Sequence, residues 1–293
     1  MKPIELHSGS AEHRVRNLLR LLDVGSRGDR QFEGLRKHGG TGRIYGGEVV
    51  AQALVAAMKT VPDDRSVHSL HAYFLRGGSE DHSSTYSVAA DFEGRSFSNR
   101  RVVATQRGEV ILNLAASFHK AESGDHHQAP MPAVPAPEDL PHLFEMKNLP
   151  SADDMRWPLN FIWRPWPLVW RIPPIDLTGD PASRTRVAFW FRTPAPVDAP
   201  QWMHRAVVAY ASDLGPLATA SGQYWQPAMQ NASIDHSIWF HADLRVDDWL
   251  LYYLESPWAG GARGLGLGRV YDRAGRLVAS VAQEGLMRVA EKG

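Results

Sequence analysis

The chain has 293 residues, 43% of them hydrophobic, with Lys+Arg and Asp+Glu both numbering 32 and no cysteine. Zero net charge leaves no basic excess for nucleic acid or an anionic membrane surface. The missing cysteine excludes disulfides, thiol nucleophiles and cysteine-ligated metal.

The first residues, MKPIELHSGSAEHRVRNLLRLL, are polar and charged, with no apolar core of secretory length. No run approaches the ~20 apolar residues of a membrane span. The last five, Val289 to Gly293, match no peroxisomal or ER-retention address. A cytoplasmic protein without a membrane span is therefore expected.

Gly46-Gly47 opens EVVAQALVAAM (48–58), apolar on almost every side, which predicts a helix wrapped all round. VHSLHAYFL (67–75) reads as a strand. SFSNRRVVAT, a turn at Gln106-Arg107-Gly108 and EVILNLAASF read as a hairpin. Between 120 and 160 the chain is rich in proline, histidine and acid and shows no period, which predicts a linker. Beyond it RAVVAYASDL (205–214) reads as a second buried helix and SIDHSIWFH (233–241) as a strand. ARGLGLGRVYD, a turn at Arg273-Ala274-Gly275 and RLVASVAQEGLMR form a second hairpin.

The two parts thus repeat one plan of helix, strand and hairpin. Their turn glycines, Gly108 and Gly275, lie 167 residues apart, and Phe74 and Phe240 lie 166 apart. The helices match at 158, and a longer loop between Asp213 and Ser233 is expected to absorb the difference. Long antiparallel strands with one apolar helix suggest a sheet curled around that helix. Two such units can cover their exposed edges by pairing edge to edge into one sheet. The predicted organisation is a first unit at 1–120, a Pro-rich linker at 121–160 and a second unit at 161–293.

Three polar side chains in otherwise core-like segments draw attention: Asp213, Ser233 and Gln283. A carboxylate, a hydroxyl and an amide are suited to holding one water, and unpaired they would be costly there.

The runs IYGGEVVAQAL, VHSLHAYFLRGG, GRSFSNRRVVATQRGE, AYASDL, SIDHSIWFH and VAQEGLMR resemble, in order, those of the type II acyl-CoA thioesterases. These are the TesB-like double-hotdog enzymes of bacteria and peroxisomes. The resemblance spans roughly 14–120 and 195–288. It implies an α+β fold of two tandem hotdog repeats sharing one continuous sheet. It further implies hydrolysis of fatty acyl-CoA to free acid and CoA without cofactor, metal or covalent intermediate, in a chain that self-associates as a dimer or larger homo-oligomer. The catalytic set it carries over is Asp213 as base, with Ser233 and Gln283 holding the water. Many members have threonine where this chain has Ser233, and a bulkier aromatic stretch after the acid where it has Leu-Gly-Pro-Leu. Under either repeat offset the first unit lacks both acid and amide, so one site per chain is expected. Gly46-Gly47 is a candidate oxyanion donor.

Competing constellations are weaker. Strand alternation separates Asp235 from His236, and no G-x-S-x-G elbow is present. His68 and His71 are expected on opposite faces of their strand, and no H-E-x-x-H occurs. Arg95, Arg100, Arg101, Arg263 and Arg269 could meet the CoA phosphates, although ion pairs with nearby acids are the commoner fate of such strand arginines. The tryptophan-rich segment 157–170 is expected to pack under the linker. Two further functions on this scaffold are a non-catalytic acyl-CoA or lipid carrier and a dehydratase. The latter needs a histidine beside the acid, and the helix near Asp213 offers none.

Overall fold

A computed structural model of the chain describes residues 4, 6, 8–37, 42–140, 167–173, 185–222, 224 and 229–289. Its first half contains α1 (Ala11–Leu22), β1 (Gly25–Gly28), β2 (Gln31–Glu33), α2 (Gly46–Met58), β3 (Arg65–Phe74), β4 (Thr85–Glu93), β5 (Phe97–Gln106) and β6 (Glu109–Lys120). The second half contains β7 (Val169–Arg171), β8 (Arg186–Arg192), α3 (Gln201–Ser212), α4 (Pro216–Ser221), β9 (Met229–Ser233), β10 (Asp235–Phe240), β11 (Leu250–Gly260), β12 (Arg263–Asp272) and β13 (Leu277–Val289).

All the described strands join one sheet, ordered β1-β2-β4-β5-β6-β3-β10-β13-β12-β11-β8-β7, with β9 paired to β13 beside β10. The order is palindromic about the β3–β10 pair, where Leu70 faces Ile238 and Tyr73 faces Asp235 in antiparallel register. This is the edge-to-edge junction expected of two hotdog units: the architecture is an α+β double hotdog.

The helices lie against one face of the sheet, α2 packed on α3. Eleven of the thirteen α2 residues, all but Gly46 and Met58, are buried, as a helix apolar on every side requires. Each fully buried Val or Leu contributes roughly 1.5–3 kcal/mol. Neither α2 nor α3 carries a capping side chain at its N-terminus.

Several expectations need correction. Helix α1 and strands β1, β2, β4, β7, β8 and β11 add to the predicted elements. The predicted strand 233–241 breaks at Ile234 into β9 and β10. The segment expected as a longer loop between Asp213 and Ser233 contains α4, seated on a strip of strand glycines. A Cβ on Gly266 would fall 2.5 Å from the Pro216 carbonyl oxygen, and one on Gly285 would fall 2.2 Å from Leu217. The helix ends match at an offset of 155 or 154, not 158, so the counterpart of Asp213 is Met58 or Lys59. Neither is an acid.

A bulge between Val67 and Ser69 turns His68 to the same outward side as His71. His68 bonds Ser117 Oγ (2.8 Å) and His71 bonds Ser237 Oγ (3.0 Å). Among the described residues no cluster suited to a metal ion occurs. Residues 141–160 of the expected linker, and Trp157, Trp163 and Trp166, lie outside the described residues. Trp170 packs in the main core against Phe189 and Phe191. The linker is instead held by Trp190, whose indole N–H donates to Pro135 O (2.9 Å), in a small cluster with Leu140, Trp249, Leu251 and Tyr271.

Candidate active site

Asp213 is the C-cap residue of α3. The α3 C-terminus abuts the N-terminus of α2, and Gly47 N–H donates to Asp213 Oδ2 (2.9 Å). The carboxylate of one half therefore satisfies an orphan donor of the other half's helix, at the positive end of that helix. Only glycine permits this approach: a Cβ on Gly47 would sit 2.3 Å from Tyr210 O, and one on Gly46 2.9 Å from Asp213 Oδ2. Two buried phenols close the end of α3 itself. Tyr45 donates to Tyr210 O and Tyr252 to Ser212 O, both at 2.8 Å.

Gln283 lies on β13 beside the break between β9 and β10. Ser233 ends β9 opposite Gly285, and Ser237 of β10 faces Ala282. The kink at Ile234 places both Ser233 and His236 against one amide. Gln283 Nε2 donates to Asp213 Oδ1 (3.1 Å) and to Ser233 Oγ (2.6 Å). Its Oε1 accepts from His236 Nδ1 (2.7 Å), and His236 Nε2 meets Ser212 Oγ (2.8 Å). Asp213, Ser233 and Gln283, widely spaced in sequence, thus converge. Gln283 and His236 are buried, at 1% and 0% exposure, while Asp213 and Ser233 are partly exposed. Asp213 and Ser233 form the front of the site, and the buried Gln283 and His236 form its back.

Burial raises the Asp213 pKa above the ordinary carboxylate value. The neighbouring His236, Gly47 N–H, Gln283 and Ser233 act in the opposite direction. Burial also lowers the His236 pKa, against the pull of the Asp213 charge, which favours a neutral ring.

Two sequence expectations change here, and a third, that the strand arginines pair with nearby acids, is met. Gly47 N–H is committed to Asp213 and is not a free oxyanion donor. A histidine does lie near the acid, but it comes from β10, and both its ring nitrogens are engaged by Gln283 and Ser212. Arg100 is buried with Thr60 and Glu93, and Arg101, Arg263 and Arg269 pair with Asp91, Glu284 and Glu255. Sequence reasoning missed Ser212, Tyr45 and Tyr252 as supports of the site. For His236 the usable signal was the strand alternation that separates it from Asp235.

The fold and its relatives place the chain among the hotdog thioester hydrolases. Residues 36–119 match the family model described as the acyl-CoA thioesterase N-terminal domain, and residues 137–287 match that of the C-terminal domain. The chain is 40% identical to human acyl-coenzyme A thioesterase 8, over 84% of this chain and 81% of that protein. It is 37% identical to acyl-CoA thioesterase 2 of Haemophilus influenzae, over 94% and 99% respectively. The crystal structure of an acyl-CoA thioesterase II from Mycobacterium marinum superposes with a TM-score of 0.77 at 37% identity, covering 94% of this chain and 98% of that one. The chain belongs to the acyl-CoA thioesterase family.

Proposed function

We propose that the protein hydrolyses fatty acyl-CoA to free acid and CoA at a water held by Asp213 and Ser233, with Gln283 aligning the two. Asp213 takes a proton from the water as its oxygen attacks the thioester carbonyl. The C–S bond breaks, the thiolate leaves, and the proton returns to sulfur. A base within hydrogen-bond reach of the water supplies about 10²–10⁴-fold in rate. Ser233 Oγ receives one Gln283 hydrogen and keeps its own hydrogen for Asp213 or the water. Both Gln283 amide hydrogens are committed to protein partners, so its role is alignment. In this reading residues 1–120 supply the glycine-bearing helix end, 121–160 connect, and 161–293 supply the reacting groups.

The observation that carries the reading is that a single amide bridges the carboxylate and the hydroxyl. The test is thiol release across a panel of short- to long-chain acyl-CoAs. Asp213→Asn is expected to lower turnover by about a hundredfold or more with an unchanged circular dichroism spectrum. Wild-type turnover in that variant would remove Asp213 from the mechanism. Acyl-CoA binding without thiol release by the wild type would make the protein a carrier.

A further inference from the structure

At the junction of the two halves the structure offers a comparison inside one chain. On β3 and β6, Leu70 lies opposite Ala116. At the related positions of the second half, 166 and 167 residues on, stand His236 and Gln283. All four side chains face inward and are at most 1% exposed. The fold is therefore content with a Leu–Ala pair at this place. The polar pair needs another reason, because a buried polar group that finds no partner is costly.

That reason lies in the orientation of an amide. A glutamine side chain presents NH₂ on one side and oxygen on the other, and turning it by 180° exchanges them. In the observed orientation the NH₂ faces Asp213 and Ser233. Turned over, the oxygen would face the Asp213 carboxylate, acceptor against acceptor. What lies behind the amide reinforces the first orientation. His236 Nδ1 is 2.7 Å from Gln283 Oε1, an oxygen that can only accept, so this nitrogen carries a hydrogen. In a neutral ring Nε2 is then an acceptor, and Ser212 Oγ, 2.8 Å away, supplies the hydrogen. Ser212 immediately precedes Asp213, so the residue that sets the ring tautomer and the carboxylate share one helix end. The chain of donors runs Ser212 to His236 to Gln283 to Asp213 and Ser233. Ser212 has an alternative acceptor in Ala209 O at 3.0 Å. Turning its hydrogen there leaves Nε2 without a donor and removes the preference for the tautomer that fixes the amide.

We infer that His236, set by Ser212, is a positioning residue that locks Gln283 with its NH₂ toward the reacting groups. The inference rests on the proposed role of Asp213 and deepens it. It also explains why the polar pair is present in one half only.

The test compares His236→Leu, His236→Asn and Ser212→Ala in the full chain, by kcat and KM for a medium-chain acyl-CoA, beside Asp213→Asn. Leucine is the residue that the first half tolerates at this place. Asparagine keeps an N–H near the position of Nδ1. His236→Leu is expected to lower kcat by about ten- to a hundredfold, the scale of a misaligned reacting group, with KM little changed. His236→Asn is expected to recover most of that loss. Ser212→Ala is expected to lower kcat several-fold, about the worth of one hydrogen bond, in the wild-type background and to have no further effect beside His236→Asn, which has no tautomer to set. Full activity in His236→Leu overturns the inference. Equal damage by Leu and Asn in folded protein also overturns it, because that pattern belongs to packing alone. Should Asp213→Asn keep wild-type turnover, the reading of the site fails first; should it lose turnover while His236→Leu does not, only the positioning role fails.

Discussion

Asp213 stands between two helix ends of opposite polarity. The loss of solvent, and with it the C-terminus of its own helix, disfavours its charge, whereas His236, Gly47 N–H at the N-terminus of α2, Gln283 and Ser233 favour it. The net direction is upward, so the carboxylate is a stronger base than a surface aspartate. Two consequences can be measured. The acid limb of the kcat/KM profile should lie above the ordinary aspartate value of about 3.9, with activity falling as the base is protonated. Ser233→Ala removes a group that holds the pKa down and should move that limb to higher pH; a shift the other way would separate the hydroxyl from the carboxylate. For stability the sign is reversed. A carboxyl whose pKa is raised on folding contributes stability below its unfolded value, and this is lost as pH rises through the folded value. Among residues, the catalytic candidates were legible because each sits in a distinctive run. Their supports were not, since a tyrosine that caps a helix end from another strand leaves no local mark.

At the level of elements, the hairpins and the two wrapped helices were readable from alternation and from all-round hydrophobicity. Strand β11 was not: its apolar run is interrupted by Pro257, at the bulge between Glu255 and Trp258. Such a proline argues against a strand interior. The glycines of ARGLGLGRV were read only as part of a hairpin, and their purpose becomes visible in three dimensions. Gly264 and Gly266, with Gly285 on the next strand, let α4 settle onto the backbone of the sheet. Gly266→Ala would press a methyl against the Pro216 carbonyl and should cost about 1–3 kcal/mol in urea unfolding. Gly124→Ala, where nothing lies within 4 Å of the added carbon, should stay within about 0.5 kcal/mol of wild type. Equal effects at the two positions would mean that α4 does not depend on this floor.

For the whole molecule, the halves are joined by more than the β3–β10 pair. Gly47 reaches Asp213, Tyr45 reaches Tyr210, and the buried Arg205 donates to Val67 O (2.9 Å). All ten tryptophans lie beyond residue 150, so their fluorescence reports on the second half, while circular dichroism reports on both. The two signals should trace a single coincident urea transition; separate midpoints would show halves that fold alone. The first half carries its own buried charge cluster, with Lys37 3.2 Å from both Glu48 and Glu80. Burial pushes Glu48 up to about 7. Its contribution to stability should therefore be full below about pH 4.5 and lost as pH rises through about 7. Glu48→Gln should flatten that stretch of the stability–pH curve, and an unaltered slope would place the titration elsewhere.

A hydrocarbon pair in one half and a hydrogen-bonded pair in the other, at matching places in the sheet, has a stoichiometric consequence. A hotdog assembled from two identical subunits must carry any given residue twice, whether both copies are useful or not. Tandem fusion removes that obligation. Titration with a tightly bound, non-hydrolysable thioester analogue should accordingly reach its end point at one equivalent per polypeptide.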